Sequence, residues 1–236
     1  MTGDVLLVFV KNPKPGLVKS RLAVDVGDTA AALVYRLLAE DALRRTRPEP
    51  GDYERRVCFA PAKARAEVAE WLPGETLEAQ QGAELGARMS HAFAAAFERG
   101  ARRVALTGSD VPGIDRPRVR EALRALAGHD AVLGPARDGG YYLVALARPQ
   151  PRLFEGMAWS RPDVLARTLE RAAVLALRVR VQRGLRDVDT LADLRAAWTL
   201  VGPLLRASEP DACRVLERRV FAEEENHGGA RDPATR

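Results

Sequence analysis

The stretch "DVLLVFVKNPKPGLVKSRL", residues 4–22, begins as an apolar run and continues into a loop that carries three lysines. The run over residues 4–10 is unbroken and rich in β-branched side chains, which is typical of a strand buried on both faces of a sheet. Only four of the 37 Lys and Arg residues are lysines, so three lysines in one loop depart from the rest of the composition. The segment predicts an interior strand followed by a loop in which the lysine ammonium groups have a functional role.

Composition predicts one large globular domain, because 236 residues with 47% hydrophobic content can bury an extensive core. No apolar stretch is long enough to span a membrane and the first residues lack a signal-peptide pattern, so we expect a cytoplasmic protein. Cys58 and Cys213 show no metal-binding spacing and are expected to be reduced. The net charge of +5 is spread among acidic residues, which favours neither nucleic acid nor membrane as a partner. A homodimer is an open alternative.

Beyond the first loop, apolar segments of strand length alternate with segments of helical period. This alternation predicts an α/β protein with a mostly parallel mixed sheet between two layers of helices. A helix opened by Asp28 is expected to end before Pro48. The further predicted strands are 53–60, 75–80, 102–108, 130–136, 140–147 and 177–183. The further predicted helices are 62–72, 83–100, 117–128, 161–173 and one opening at "DTLADL".

The first loop offers groups that suit a phosphate chain. It is not a Walker A motif, because Val18 stands where that motif requires glycine. Its turn at Pro15 and Gly16 offers the backbone N–H groups of Gly16 and Leu17 as donors, and the ammonium of Lys19 and the guanidinium of Arg21 follow. We predict that these residues bind a nucleotide, and a solvated basic turn is the alternative.

Three aspartates are candidate metal ligands. Asp110 in "LTGSDVPG" follows a predicted strand, where its carboxylate can reach a divalent cation that bridges phosphate oxygens. Asp187 and Asp189 in "GLRDVDTLADL" stand at alternate positions after another strand and would share a face. The alternatives are a turn role for Asp110 and a helix N-cap at Asp189 or Thr190.

The segment "ARDGGYYLVAL" is a candidate for acceptor binding. Asp138 could contact an acceptor or act as a base, with Gly139 and Gly140 beside it, although these residues could equally form only a hairpin connection. Adjacent side chains point to opposite faces of a strand, so only one of Tyr141 and Tyr142 can face a ligand.

Two further segments carry weaker signals. Trp159 and Ser160 precede a helix that begins near a proline, and they are predicted to contact an acceptor, with a core or lid position as the alternative for the tryptophan. Gln81 and Gly82 precede a helix N-terminus, where an amide could read a base and the helix end favours an anion. His91 on that helix is more typical of a packed histidine than of a general base.

Taken in order, six motifs resemble the family of GT-A-type nucleotide-diphospho-sugar transferases, including the arsenosugar-type glycosyltransferases. The resemblance spans roughly residues 4–195 and implies a single GT-A-like nucleotide-binding transferase domain over residues 1–202. Residues 203–221 are expected to add a terminal helix, and the polar stretch 222–236 is expected to be a disordered tail. The motifs are "KNPKPGLVKSRL", "QGAELGARM", "GSDVPGI", "GPARDGGYYLVAL", "WSRPDVL" and "LRDVDTLADL".

The first loop and "GSDVP" also resemble 2-phospholactate guanylyltransferase and related nucleotidyltransferases. In those relatives a lysine and an arginine of the first loop hold a triphosphate, which implies that role for Lys19 and Arg21. Metal-dependent GT-A glycosyltransferases carry a DxD motif, whereas this chain has Ser109, Asp110 and Val111 at the corresponding place. Ser109 is included among the predicted nucleotide-binding residues.

The resemblance implies a metal-dependent glycosyltransferase that uses a nucleotide-diphosphate sugar and a small-molecule acceptor, with Mg²⁺ or Mn²⁺ as cofactor. The first alternative is a nucleotidyltransferase that couples a nucleoside triphosphate to a small phosphorylated acceptor and releases pyrophosphate. The second is a nucleotide-binding module without catalysis. In either enzyme, Lys19, Asp110 and Asp138 are the predicted catalytic residues.

Overall fold

Residues 3–222 are described by a computed structural model, and seven strands within them form one sheet. The strands follow the order β3-β2-β1-β4-β6-β5-β7, and all neighbours are parallel except where β6 pairs with β4 and β5. All seven strands predicted from the sequence are therefore present, and the predicted mixed sheet is confirmed. Their bounds are β1 (Asp4–Lys11), β2 (Glu54–Ala60), β3 (Leu77–Ala79), β4 (Arg103–Gly108), β5 (Ala131–Pro135), β6 (Tyr141–Leu146) and β7 (Val179–Val181).

Strand β1 lies inside the sheet, as its unbroken apolar run predicts. Val8 pairs with Val57 of β2 on one side and with Thr107 of β4 on the other. Successive residues alternate between two hydrophobic clusters, so that Leu6 and Val8 pack on one face and the intervening residues pack on the other. Burial on both faces explains why this strand has no polar alternation.

Nine α-helices lie within residues 3–222. Helices α4 and α6 pack on one face of the sheet, and α3, α5 and the end of α2 pack on the other, which gives three layers. The bounds are α1 (Ser20–Val26), α2 (Asp28–Arg45), α3 (Arg65–Trp71), α4 (Leu85–Glu98), α5 (Arg116–Ala125), α6 (Val164–Val174), α7 (Leu191–Ala196), α8 (Trp198–Ser208) and α9 (Pro210–Phe221). None of these helices is long and apolar enough to cross a membrane.

The described residues divide into two compact units. The first contains the residues up to Asn12 and Leu38–Asp187, and thus the whole sheet with its flanking helices. The second contains Pro13–Leu37 and the described residues from Val188 onward, and it is helical. The first loop, which carries Lys14 and Lys19, therefore belongs to the helical unit, whereas Lys11 belongs to the first unit.

The C-terminal part differs from the expected single helix over 203–221. Two helices, α8 and α9, occupy this region, and Glu209 between them has a φ of −142°. Pro210 disfavours a helical conformation at the preceding residue and suits the first position of a new helix, so it separates the two. The predicted tail over 222–236, with His227, lies outside the described residues except for Ala222.

Helix α1 was not expected from the sequence. It has only seven residues and is closed by Gly27, where the backbone has a φ of 84°. Helix α2 begins one residue later at Asp28, which lies in the first turn, where a carboxylate interacts favourably with the helix dipole. A helix of two turns is too short for hydrophobic periodicity to reveal.

Candidate active site

The carboxyl ends of the parallel strands meet at one edge of the sheet, which is where open α/β sheets bind ligands. Because β6 is antiparallel, its first residue, Tyr141, lies at this same edge. Several polar residues of the first unit follow these strand ends: Asn12 after β1, Gln80 after β3, Asp110 after β4 and Asp138 after β5.

The turn after β4 presents one carboxylate. Ser109 and Val111 are only 2% and 4% exposed, whereas Asp110 between them is half-buried. Asp110 Oδ1 lies 3.2 Å from the position that a Cβ on Gly108 would occupy. The carboxylate is therefore close to the end of β4, and a glycine there leaves room for it.

Two amide side chains, missed as site residues from the sequence, lie near the ends of β1 and β2. Gln80 Nε2 donates to the carbonyl oxygens of Cys58 and Val10, at 2.7 Å and 3.2 Å. Asn12 is buried, and its Nδ2 donates to the Glu67 carboxylate. The only sequence signal is a glutamine pair at the end of a predicted strand, and Gln80 is the member of that pair that contacts the sheet.

The predicted nucleotide-binding residues Gln81 and Gly82 follow directly. Gln81 is exposed, and Gly82 has a φ of 129°. A Cβ on Gly82 would lie 2.8 Å from the backbone nitrogen of Arg88 in helix α4, so only glycine fits this close approach. His91 on the same helix is exposed rather than packed.

The turn between β5 and β6 is tied to helix α6. Asp138 Oδ1 accepts a hydrogen bond from the Gly140 nitrogen at 2.9 Å, and the Gly139 carbonyl accepts one from the Leu165 nitrogen at 2.8 Å. Gly139 has a φ of 88°, and a Cβ there would lie 1.9 Å from the Pro162 carbonyl oxygen. Asp138 is therefore part of the hairpin connection, and its contact with an acceptor substrate stays a prediction.

The predicted aromatic contacts lie next to this turn. Tyr141 and Trp159 meet edge to face with ring centroids 6.3 Å apart, whereas Tyr142 packs in the opposite hydrophobic cluster. The prediction that the two tyrosines face opposite sides is therefore confirmed. Burial raises the pKa of the Tyr141 phenol, so it stays protonated at neutral pH. Ser160 beside Trp159 is exposed and has a φ of 64°.

In the helical unit, the first loop contains a tight turn. The Leu17 nitrogen donates to the Lys14 carbonyl at 3.1 Å, and Gly16 has a φ of 79°. Proline followed by a glycine with positive φ is the signature of a type II turn. The Pro15-Gly16 pair therefore sets the path of the chain into helix α1.

Lys19, directly before helix α1, is the most constrained residue of this loop. Its backbone is left-handed, with φ 51° and ψ 44°, and its side chain is only 3% exposed. Lys19 Nζ lies 2.7 Å from Asp189 Oδ1, and the Asp189 side chain is 38% exposed. A solvated basic turn does not describe this lysine, although Lys14 and Arg21 in the same loop are exposed.

The segment that carries Asp187 and Asp189 is not a strand, because residues 186–189 lie outside any strand or helix. The helix cap predicted as the alternative belongs to Thr190. Its Oγ1 accepts from the Asp193 nitrogen, while Asp193 Oδ2 accepts from the Thr190 nitrogen, which forms a capping box. Asp189 is instead held by Lys19.

The carboxylates fit a divalent cation that is shared with a substrate. Within residues 3–222, no group of three His, Cys, Asp or Glu side chains could hold a metal ion by itself. Mg²⁺ commonly takes one or two carboxylates and completes its shell with phosphate oxygens and water. Asp110 and Asp187 carry carboxylate oxygens of the kind that Mg²⁺ takes, and their role as metal ligands stays a prediction.

Comparisons with known proteins agree with this fold. The family model of an uncharacterized protein conserved in bacteria (DUF2064) matches residues 45–161. The solved structure of a "putative nucleotide-diphospho-sugar transferase" from Desulfovibrio desulfuricans G20 is 36% identical, with a TM-score of 0.84 over 94% of this chain and 98% of that chain. The chain belongs to the DUF2064 family. The resemblance to nucleotide-diphospho-sugar transferases expected from the motifs is thereby confirmed.

More distant structures share the fold of the DUF2064 chain. A homologue of Mycobacterium tuberculosis rv0371c from Mycobacterium sp. strain JC1 is 21% identical, with a TM-score of 0.54 over 88% of this chain and 99% of that chain. A CMP:2-keto-3-deoxy-manno-octonic acid synthetase complexed with CTP is 15% identical, with a TM-score of 0.53 over 85% and 98%. No curated protein sequence matches the chain. The comparisons as a whole support a transferase.

Proposed function

We propose that this protein is a nucleotidyltransferase that couples a nucleoside triphosphate to a small phosphorylated acceptor and releases pyrophosphate. The observation that carries the proposal is the turn after β4, where Asp110 is the one accessible carboxylate between two buried residues. A DxD motif would present two carboxylates at this place. The CTP complex of a structurally similar synthetase lends support, since that fold accommodates a nucleoside triphosphate.

In this reaction an oxygen of the acceptor phosphate attacks the α-phosphorus of the nucleoside triphosphate. The bond from the α-phosphorus to the bridging oxygen breaks, and pyrophosphate leaves with its electron pair. Lys19 and Arg21 are assigned to the oxygens of the leaving pyrophosphate, where positive charge stabilises the negative charge that develops. Asp189 positions the Lys19 ammonium through the 2.7 Å contact.

Asp110 and Asp187 are the residues that would hold Mg²⁺ or Mn²⁺. Such a cation neutralises charge on phosphate oxygens. We assign Asp187 as the second ligand, with Asp189, which contacts the Lys19 ammonium through one oxygen, as the alternative. Asp138 is assigned to bind the acceptor substrate through Oδ2, because its Oδ1 receives the hydrogen bond from the Gly140 nitrogen.

Glycosyl transfer from a nucleotide-diphosphate sugar is the second candidate. It is favoured by the relative at 36% identity, whose name is that of a nucleotide-diphospho-sugar transferase. In this reaction the acceptor attacks the anomeric carbon, and a nucleoside diphosphate leaves. In both reactions the donor contains a nucleotide, and the two reactions differ in which bond of the donor breaks.

Phosphorus NMR distinguishes these reactions. The purified protein is incubated with Mg²⁺ or Mn²⁺, small-molecule acceptors from a cell extract, and either nucleoside triphosphates or nucleotide sugars. Metal-dependent release of pyrophosphate establishes nucleotidyl transfer, whereas release of a nucleoside diphosphate from a nucleotide sugar replaces it with glycosyl transfer. If neither product forms while a nucleotide still binds, the protein is a nucleotide-binding module and the proposal is wrong.

A further inference from the structure

The orientation of the Gln80 amide is determined by its neighbours. Its Nε2 lies 2.7 Å from the Cys58 carbonyl oxygen and 3.2 Å from the Val10 carbonyl oxygen, and its backbone nitrogen donates to the Phe59 carbonyl at 2.9 Å. Carbonyl oxygens only accept hydrogen bonds, so the donor nitrogen of the amide must face them. The side chain is therefore held by two strands with its nitrogen toward the sheet.

This orientation leaves Gln80 Oε1 as a fixed acceptor. No residue among those described, 3–222, donates a hydrogen bond to it, and the side chain is partly exposed. Asn12 repeats the arrangement two residues after Val10, because its Nδ2 donates to a Glu67 carboxylate oxygen, which can only accept. Its Oδ1 is thereby a second acceptor at the end of β1.

The position of these acceptors suits the base of a bound nucleotide. The Gln80 amide lies at the ends of β1 and β2, and Asp110 follows β4, which is the neighbour of β1 on the other side. Strand neighbours are about 4.8 Å apart, so β2 and β4 are separated by about 10 Å. A nucleotide whose phosphates reach Asp110 can extend along this edge and bring its base to Gln80.

We propose that Gln80, with Asn12, selects a nucleotide whose base carries an exocyclic amino group. The inference rests on the proposed function and names the donor class of that site. The amino groups of cytosine, adenine and guanine donate hydrogen bonds, whereas uracil presents carbonyl oxygens in place of an amino group. Uracil keeps one ring donor, N3–H, but it presents a carbonyl oxygen at the position of the amino group of cytosine. A fixed acceptor placed for the amino group would there lose its hydrogen bond and face a second partial negative charge, so uracil nucleotides bind more weakly.

Isothermal titration of the full chain with CTP, ATP, GTP and UTP in Mg²⁺ tests the selection. At least one amino-bearing nucleotide should bind about 10-fold more tightly than UTP, which is the effect of about one good hydrogen bond. For the best ligand, the triphosphate analogue that lacks the amino group should lose about the same factor. The analogues carry pyrimidin-2-one for cytosine, unsubstituted purine for adenine and hypoxanthine for guanine.

A Gln80 variant tests whether this side chain causes the preference over UTP. Gln80→Met keeps the length of the side chain and removes the acceptor, so the preference over UTP should fall below about 3-fold. Inorganic triphosphate should bind wild type and variant equally, because it lacks a base. Gln150→Met, which changes a glutamine outside the sheet, should leave the preference unchanged.

The outcomes separate this inference from the function on which it rests. If all four nucleotides bind equally, if UTP binds best, or if the amino-free analogue binds as well as its parent, the selection by Gln80 is wrong and the proposed function stands. A preference that survives in Gln80→Met also overturns it. If none of the four nucleotides binds, the proposed function fails and the inference fails with it.

Discussion

Lys19 and Asp189, 170 positions apart in the chain, join through a 2.7 Å contact between Nζ and Oδ1. The lysine side chain is 3% exposed and its backbone adopts the left-handed conformation, with a φ of 51°. Such a conformation costs a non-glycine residue about 1–3 kcal/mol and persists where surrounding contacts enforce it. The ion pair therefore holds a strained, buried lysine at the start of helix α1.

Lys19→Met should weaken the binding of a nucleoside triphosphate by at least about 10-fold, because it removes a charged contact to phosphate. Methionine keeps most of the apolar stem, so the loop should retain its packing. Lys63→Met is the matched control, since Lys63 is an exposed lysine elsewhere in the chain. Equal dissociation constants for the two variants, measured by titration calorimetry, would exclude Lys19 from phosphate binding.

Asp189→Asn should destabilise the fold more than Lys19→Met does. The first change removes the negative charge that lies 2.7 Å from a buried ammonium, at a cost of about 1–3 kcal/mol, whereas the second leaves a carboxylate that water can reach. Inorganic triphosphate should raise the Tm of Asp189→Asn more than that of the wild type, because the anion replaces the lost charge. Thermal denaturation measures both effects, and a larger loss in Lys19→Met would contradict the asymmetry.

Asp110→Asn should abolish metal-dependent turnover and leave the fold intact. Asparagine has nearly the same shape, so it fits beside Gly108, but it lacks the negative charge that binds a divalent cation. The rate of product formation is measured over a range of Mg²⁺ and Mn²⁺ concentrations, with circular dichroism as the check on folding. Undiminished rates would mean that Asp110 is not a metal ligand.

Gly139→Ala should be far more destabilising than Gly51→Ala, although the two glycines have φ values of 88° and 89°. The backbone strain of about 1–2 kcal/mol is common to both. Only at Gly139 would the new Cβ meet another atom, the Pro162 carbonyl oxygen at 1.9 Å, whereas nothing lies within 4 Å at Gly51. Urea denaturation should therefore show an excess loss of at least about 2 kcal/mol for Gly139→Ala. Similar losses would show that the turn moves away from helix α6 at little cost.

Thr190→Ala should lower the free energy of unfolding by about 1 kcal/mol, because the capping box of helix α7 loses its side-chain acceptor. Thr190→Ser keeps a hydroxyl at the same place and should retain most of the stability. The comparison is made by urea denaturation. An equal loss in the two variants would assign the effect to the methyl group of Thr190 instead of the cap.

Much of the fold could be predicted because its signals are local. The apolar run before the first loop indicated β1, and "PG" in that loop indicated the turn that Gly16 makes with a φ of 79°. Prediction was less successful where local signals were short or ambiguous. Helix α1 has only seven residues, and Pro210 begins a new helix inside the segment 203–221, for which the sequence predicts one helix.

The sequence by itself determined the α/β class, the strands and the residue types that the loops present, because hydrophobic period and turn chemistry act over a few neighbouring residues. Only the tertiary structure decided that Asp189 pairs with Lys19 and that Gln80, beside the predicted Gln81, contacts the sheet. These relationships join residues that are far apart in the chain. They depend on strand order and on the packing of helices, which local patterns do not encode.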